Sequence, residues 1–385
     1  MAKRSKKKKR NNPAASLTDD LIVEILSRLP VKSLCRFKCV SRHWRALISH
    51  PEHRKKLPQT LAGVFYRSRD NTRFPQVTRH FSNVWEIGMR TLVRPSLSFF
   101  PRYESISLIL DSCNGLLLCR LRSVTEISSS SHIASFRYLV CNPATKSWVV
   151  LPNSGCGSNL RITRLGFDPA VSLRFHVFEF IENEGEDVVG VQIYSSKTGT
   201  WSYKESEWDS ETSLFYDGTR SVFLNGLLHL VVVHSGVVAV DVEGKTWWKL
   251  TVPDYRIDGD GWQPGFLGQY QGQLCYINEC DYENDLSIWV LQDYATDDWI
   301  LKHHVSIQRL CEKVMNPYRS RFYHVITVHP DSNLILYIAG QENTLMAYHV
   351  GREEAWVIKN LGSKCQPQYI PYTPFYTESL TNTHS

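Results

Sequence analysis

The chain has 385 residues, 42% hydrophobic and 12% aromatic, enough for a small domain and a large one and ordinary for globular protein. Its formal charge of +6 is misleading, because Lys3, Arg4 and Lys6 to Arg10 supply seven positive charges and leave the remainder at a net −1. A folded body built to bind nucleic acid would keep positive charge on its own surface, so specific nucleic-acid binding is not expected.

Residues 1–14 repel one another and carry no apolar payload, so a disordered basic tail is expected. So dense a basic run suits a nuclear import signal, with non-specific binding to nucleic acid as the competing use. The expected location is nucleus, cytoplasm or both. No apolar h-region follows the basic start, which argues against a secretory signal peptide. The longest apolar candidate, Leu227 to Val240, is broken by His229, His234, Ser235 and Gly236 and falls short of a membrane span. No membrane partner is therefore expected. The ten cysteines contain no Cys-x-x-Cys and read as reduced thiols. Cys275 with Cys280, or Cys35 with Cys39, could be drawn as metal pairs, but their surroundings read as strand and helix core; no metal and no cofactor is expected.

From Leu17 the pattern is helical. Leu21, Ile25 and Leu29 recur at i+4 with Ile22 and Leu26 beside them, one wide apolar stripe. Thr18 stands at the N-cap, Asp19, Asp20 and Glu24 favour the N-terminal half, and Pro30 ends the helix. A second helix is predicted over Val31 to Cys39, with Leu34 and Phe37 inward and Val40 following at the same spacing. Ser41 then caps a third in which Trp44, Leu47 and Ile48 share a face before Pro51. A unit of about forty residues covers only part of such a surface by itself, so the stripe needs a partner.

These residues resemble the F-box. Its pattern of Leu-Pro, acidic residues, Leu, a helix ending Arg-Leu-Pro, then Val-Lys-Ser-Leu, Cys-Val-Ser, Trp and Leu-Ile appears as Leu17, Asp19, Asp20, Leu21, Glu24, Ile25, Leu26, Leu29 to Leu34, Cys39 to Ser41, Trp44, Leu47 and Ile48. Thr18 departs from it, standing where the family usually has proline. The resemblance covers residues 15–58 and implies docking on a Skp-type adaptor, and through it on a cullin and a RING subunit. The chain would then be the substrate-recognition subunit of an SCF-type ubiquitin ligase. The residues implied to meet the adaptor are Leu17, Leu21, Ile22, Ile25, Leu26, Leu29, Pro30, Leu34, Val40 and Trp44.

From Leu61 short runs of Val, Ile, Leu, Tyr and Phe alternate with turn residues, which is strand patterning. A unit recurs in which a strand enters a polar turn and returns through tryptophan. It is written as Tyr138 to Cys141 leading to Trp148, Val191 to Tyr194 to Trp201, Val237 to Val240 to Trp248, Ser287 to Leu291 to Trp299, and Leu345 to Val350 to Trp356. A period near 50 residues in all-β sequence marks propeller blades. Each unit also has an apolar strand opened by a turn: Asn114-Gly115, Asp168-Pro169, Asn225-Gly226, Gln271-Gly272 and Asp331-Ser332-Asn333, as tight reversals require.

Residues 61–380 resemble the F-box-associated, kelch-like region of plant F-box proteins, in Cys113-Asn114-Gly115-Leu116-Leu117, Asn142-Pro143-Ala144-Thr145 and Gly166-Phe167-Asp168. Paired kelch glycines are missing. The fold class expected is α+β multidomain: a three-helix F-box, then an all-β propeller of about six blades, closed by a blade shared between Gly63 to Phe100 and Tyr369 to Leu380. An irregular sandwich or barrel is the alternative. Residues 381–385 read as a disordered terminus.

No catalytic constellation is legible. His303-His304, His324 and His329 have no recognised nucleophile, and Asp258-Gly259-Asp260-Gly261 lacks the spacing and closing glutamate of a calcium loop. A non-catalytic protein is expected; glycan binding outside a ligase, or a propeller enzyme with acids in its channel, are the alternatives. An unknown protein substrate would meet long insertions at one rim, where Trp208, Tyr216, Tyr255 and Trp262 are the expected anchors.

Overall fold

The computed structural model describes residues 17–29, 33–34, 37, 39–50, 53, 61–72, 77–84, 97, 99, 104–123, 136–155, 162–209, 212–214, 221–233, 236–253, 265–278, 285–313, 323–329, 333–375 and 380. They fall into two compact units, divided between Thr60 and Leu61.

In the first unit Asp19–Ser27 forms α1 and Arg42–Ser49 forms α2. The Ser41 Oγ accepts a hydrogen bond from the Trp44 N–H at 3.1 Å, the cap expected there. Thr18 takes the N-cap position of α1 with φ −72° and ψ 157°, yet its hydroxyl caps nothing; only its carbonyl accepts, from Ile22 N–H at 3.0 Å. The core is Ile22, Val23 and Leu26 against Leu34, Leu47 and Ile48, with Leu29, Phe37 and Trp44 packed on it. The Phe37 and Trp44 rings meet edge to face, 5.4 Å apart. Ser33, Leu34 and Phe37 are helical, while the rest of the helix predicted over Val31 to Cys39 lies largely outside the described residues. Pro30 lies outside them too, as do the basic tail and the residues from 381 on.

Among the described residues the second unit is all strand save one short helix. Gly63–Arg69 (β1) and Val77–Asn83 (β2) open it. The second sheet is Glu104–Cys113 (β3), Leu116–Ser123 (β4), Phe136–Asn142 (β5) and Ser147–Val150 (β6), and the third Thr163–Phe167 (β7), Phe175–Glu182 (β8), Val188–Ser195 (β9) and Thr200–Glu205 (β10). The fourth is Ser221–Leu224 (β11), Leu227–Val232 (β12), Gly236–Asp241 (β13) and Trp247–Leu250 (β14), and the fifth Phe266–Tyr270 (β15), Gln273–Asn278 (β16), Asp285–Asp293 (β17) and Asp298–Ser306 (β18). After Ile307–Cys311 (α3), the sixth is Tyr323–Val328 (β19), Leu334–Ala339 (β20), Thr344–His349 (β21) and Glu354–Asn360 (β22). Cys365–Tyr372 (β23) then returns to pair with β1.

Each four-stranded sheet is an antiparallel meander in chain order, and the first has the order β2-β1-β23. The leading strands touch in sequence: β3 beside β7, β7 beside β11, then β15, β19 and β23, and β23 beside β3. That ring of six is a six-bladed propeller, as expected, closed by a blade that takes strands from both ends of the unit. An open ring would expose unpaired strand edges; closure through β23 removes that liability.

The recurring tryptophans all lie in the last strand of a blade, and their packing shows why the period exists. Trp148, Trp201, Trp299 and Trp356 each pack on a core shared by two neighbouring blades. In β14 the residue that does so is Trp247, which packs on the core between the third and fourth blades. Trp248, the residue expected, pairs with Ala239 on the opposite face, because adjacent strand residues point to opposite sides. Between the fifth and sixth blades Ile307, Leu310 and Cys311 of α3 take the place a tryptophan fills elsewhere.

Asn114-Gly115, Asn225-Gly226 and Gln271-Gly272 have φ of 46° and 92°, 54° and 82°, and 50° and 84°, the paired positive values of a type I′ hairpin. Asp168-Pro169 differs from that expectation. It opens the longer connection 168–174, in which the Asp168 Oδ1 accepts the Ala170 N–H at 2.9 Å. Asp331 and Ser332 lie outside the described residues.

Candidate functional site

The apolar stripe of α1 divides into two halves. Ile22 and Leu26 are 5% and 1% exposed and Leu34 is buried with them, so these three form the unit's own core and are not uncovered surface. Val23, outside the stripe as read, joins them at 3%. The reason is the packing of α2 across α1, which takes the 22–26 side of the helix and leaves the 21–25 side. Leu21 is 52% exposed, Ile25 48%, Leu17 39% and Val40 60%; Leu29 and Trp44 are half-buried at the border. Leu21 and Ile25 are one turn apart and share a face. Four large aliphatic side chains thus stand in water on this small unit.

In the propeller the meander sorts connections by rim. One rim carries the turns from first to second and third to fourth strands, which are short; the other carries the long connections between blades, among them 151–162, 206–220 and 251–265. Both long insertions expected to meet a substrate therefore leave from strand ends on one rim. Trp208 is not an anchor there. It is 8% exposed, stacks on Phe180 at 6.0 Å, meets Trp247 edge to face at 4.7 Å and donates its indole N–H to the Trp248 carbonyl at 3.2 Å. Its aromatic bulk completes the core between the third and fourth blades. Tyr216, Tyr255 and Trp262 lie outside the described residues, as does Asp258 to Gly261.

The short-turn rim gathers the motifs that carried the resemblance. Asn114 Nδ2 donates to the Phe167 carbonyl at 2.7 Å and the Cys113 thiol to the same oxygen at 3.2 Å. Asn142 Nδ2 donates to the Phe375 carbonyl at 2.8 Å while its Oδ1 accepts the Ala144 N–H at 3.1 Å. The Phe375 ring meets Phe167 edge to face at 5.3 Å. A side chain on Gly115 would collide with Phe375 and the Thr373 carbonyl. Cys113 and Asn114 thus tie the second blade to Phe167 of the third, and Gly115, Asn142 and Phe167 meet the segment leaving β23. Their role is to lock the ring.

The histidines considered for chemistry are engaged structurally. His303 Nε2 lies 3.0 Å from the Tyr270 hydroxyl, which donates to Asn333 Oδ1 at 2.9 Å, and His304 Nδ1 lies 3.2 Å from Ser287 Oγ. His229, which was read only as an interruption of an apolar run, is fully buried between the Val222 carbonyl, 3.2 Å from Nδ1, and the Tyr294 hydroxyl, 2.8 Å from Nε2. A carbonyl only accepts, so Nδ1 holds the proton and Nε2 accepts from Tyr294. Burial drives its pKa down to about 4, and burial drives the Tyr294 phenol up to about 12. Cys275 sits in the core between blades, its thiol pushed up to about 12 by burial. Among the described residues no three His, Cys, Asp or Glu side chains gather as a metal-ligand group, and no helix is long and apolar enough to cross a membrane.

Residues 15–56 match the family described as F-box domain, and residues 81–373 the one described as F-box protein At3g26010-like, beta-propeller. F-box protein At5g07610 of Arabidopsis thaliana is 26% identical over 84% of this chain and 80% of its own length, and F-box protein At5g49610 of the same plant 27% identical over 80% and 83%. Among solved structures, an alpha-L-arabinanase of Penicillium chrysogenum complexed with arabinobiose is 14% identical, with a TM-score of 0.38, over 82% of this chain and 88% of that one. The match at 81–373 spans most of the propeller and the match at 15–56 the helical unit: the chain belongs to the F-box proteins that carry an At3g26010-like β-propeller.

Proposed function

We propose that this chain is a non-catalytic substrate-recognition subunit of an SCF-type ubiquitin ligase. The observation that carries the reading is the division of α1: a helical unit with a closed core of its own leaves Leu17, Leu21, Ile25 and Val40 in water. Their burial by a Skp-type adaptor would contribute roughly 1.5 to 3 kcal/mol for each side chain fully covered. The cullin and RING subunit join through that adaptor, and the long-connection rim of the propeller holds the protein to be modified. The chain's contribution is proximity, raising the effective concentration of substrate beside the charged conjugating enzyme. The basic run Lys3 to Arg10 serves nuclear import in this reading.

Two experiments test it. Purified full-length chain mixed with a Skp-type adaptor is expected to co-elute with it on size exclusion; separate elution would refute the docking. The isolated chain is expected to transfer no ubiquitin from a charged conjugating enzyme, and transfer in the absence of adaptor, cullin and RING subunit would refute the non-catalytic role.

A further inference from the structure

Arg67 of β1 and Arg79 of β2 stand directly opposite each other in their antiparallel ladder, where like charges repel. Residues two apart share a face of a strand, so both point to the side of Phe65 and Phe81, toward the core between the first and second blades. Ile109 of β3 and Gln368 and Ile370 of β23 join them around a small cleft open to solvent. Arg79 Nη1 donates to the Ile106 carbonyl and Gln368 Nε2 to the Ile109 carbonyl at 3.1 Å. The Arg67 Nε is buried and bonded to nothing.

Neither arginine has a carboxylate among the described residues. Asp70, three residues beyond Arg67 at the end of β1, is held by Lys364 at 2.8 Å and by the Thr72 hydroxyl at 2.6 Å. Burial, then the Arg79 charge, both disfavour the charged form of Arg67, and burial does the same to Arg79. A guanidinium does not release its proton in a protein, so among the described residues nothing offsets the repulsion, and an anion would. Two forked cations facing one cleft suit an acceptor with several oxygens and two negative charges; a carboxylate brings one charge, a phosphate close to two. Ile106 and Arg67 lie toward the ends of their strands that meet the long-connection rim, so the cleft opens where a substrate would be held.

We propose that the Arg67–Arg79 cleft between the first and second blades binds a tetrahedral dianion of the phosphate class. The test is thermal unfolding of the full chain in inorganic phosphate against sodium chloride of equal ionic strength, for wild type, Arg67→Gln, Arg79→Gln and the double variant. The wild type is expected to gain at least roughly 2 °C in phosphate over chloride. In chloride the double variant is expected to melt no lower than wild type, because the repulsion is gone, and in phosphate to gain nothing. If Arg67→Gln does not fold, Arg79→Gln, at the more open of the two side chains, still reports: it is expected to lose most of the phosphate response. O-phosphoserine tests the source of the anion. A matching gain places a side-chain-borne phosphate within reach, and a gain with inorganic phosphate alone restricts the site to the free ion. Equal melting in phosphate and chloride, or a double variant that keeps the full response, would overturn the proposal.

Discussion

Gly115 shows how much one residue can carry in this fold. Its φ of 92° suits glycine, and a Cβ there would run into Phe375, whereas Gly226 has a φ of 82° and open space around it. Gly226→Ala is therefore expected to cost only backbone strain, about 1 to 2 kcal/mol, and Gly115→Ala clearly more, with loss of the Phe375 clasp. Urea unfolding of the two variants side by side checks this; equal costs would show that the clasp contributes nothing. His229 gives a second residue-scale prediction. Its pKa is about 4 when folded and about 6.5 when unfolded, so on acidification the unfolded chain takes up the proton first. The stability His229 contributes is whole above pH 6.5 and is lost as pH falls to 4, by up to about 3 kcal/mol. The wild-type unfolding free energy minus that of His229→Gln is expected to fall across that window; a difference that stays level would contradict it. Turn chemistry was legible at this scale, since Asn-Gly and Gln-Gly demand the positive φ found. The use of His229 was not, because a buried histidine and a solvated one look alike until the partners that come from other strands are in place.

At the scale of elements, α1 and β14 repay comparison. Periodicity located the apolar residues of α1 but could not say which side another helix would take. Ile22, Leu26 and Leu34 were counted as docking surface because the packing of α2 is not written in the repeat of α1. Leu26→Ala is expected to destabilise the helical unit by about 2 to 5 kcal/mol, and Leu21→Ala to leave its stability within about 0.5 kcal/mol. Thermal unfolding of the two variants separates core from surface; similar losses would undo the division. In β14 the repeat drew attention to Trp248, and the pleat turns Trp247 to the neighbouring blade instead, a one-residue ambiguity that two adjacent tryptophans always leave. Trp208 misled for a related reason. An aromatic in a long insertion looks like an exposed anchor until Phe180 and Trp247 are seen on either side of it.

For the molecule as a whole, the tryptophan period gave five blades, and the sixth, closing blade came from strand patterning at both ends of the propeller. The Arg67–Arg79 cleft was not, because it depends on the register of β1 with β2. Ring closure makes a direct prediction. Residues 61–385 are expected to fold alone in one cooperative transition, since that unit holds its own cores. Removal of everything after Gly362 is expected to abolish the transition, because β23 supplies the leading strand of the first blade. A truncated chain that still melts cooperatively near the same temperature would contradict closure through β23.

The central claim is that the exposed side of α1 docks an adaptor, and a double substitution tests it most directly. Leu21→Asp with Ile25→Asp places two charges on side chains 52% and 48% exposed, outside the core of the unit. Affinity of the full chain for a purified Skp-type adaptor, measured by calorimetry, is expected to fall at least roughly a hundredfold, the loss of two buried aliphatic anchors, with the melting temperature unchanged. Undiminished affinity in a folded double variant would contradict the account.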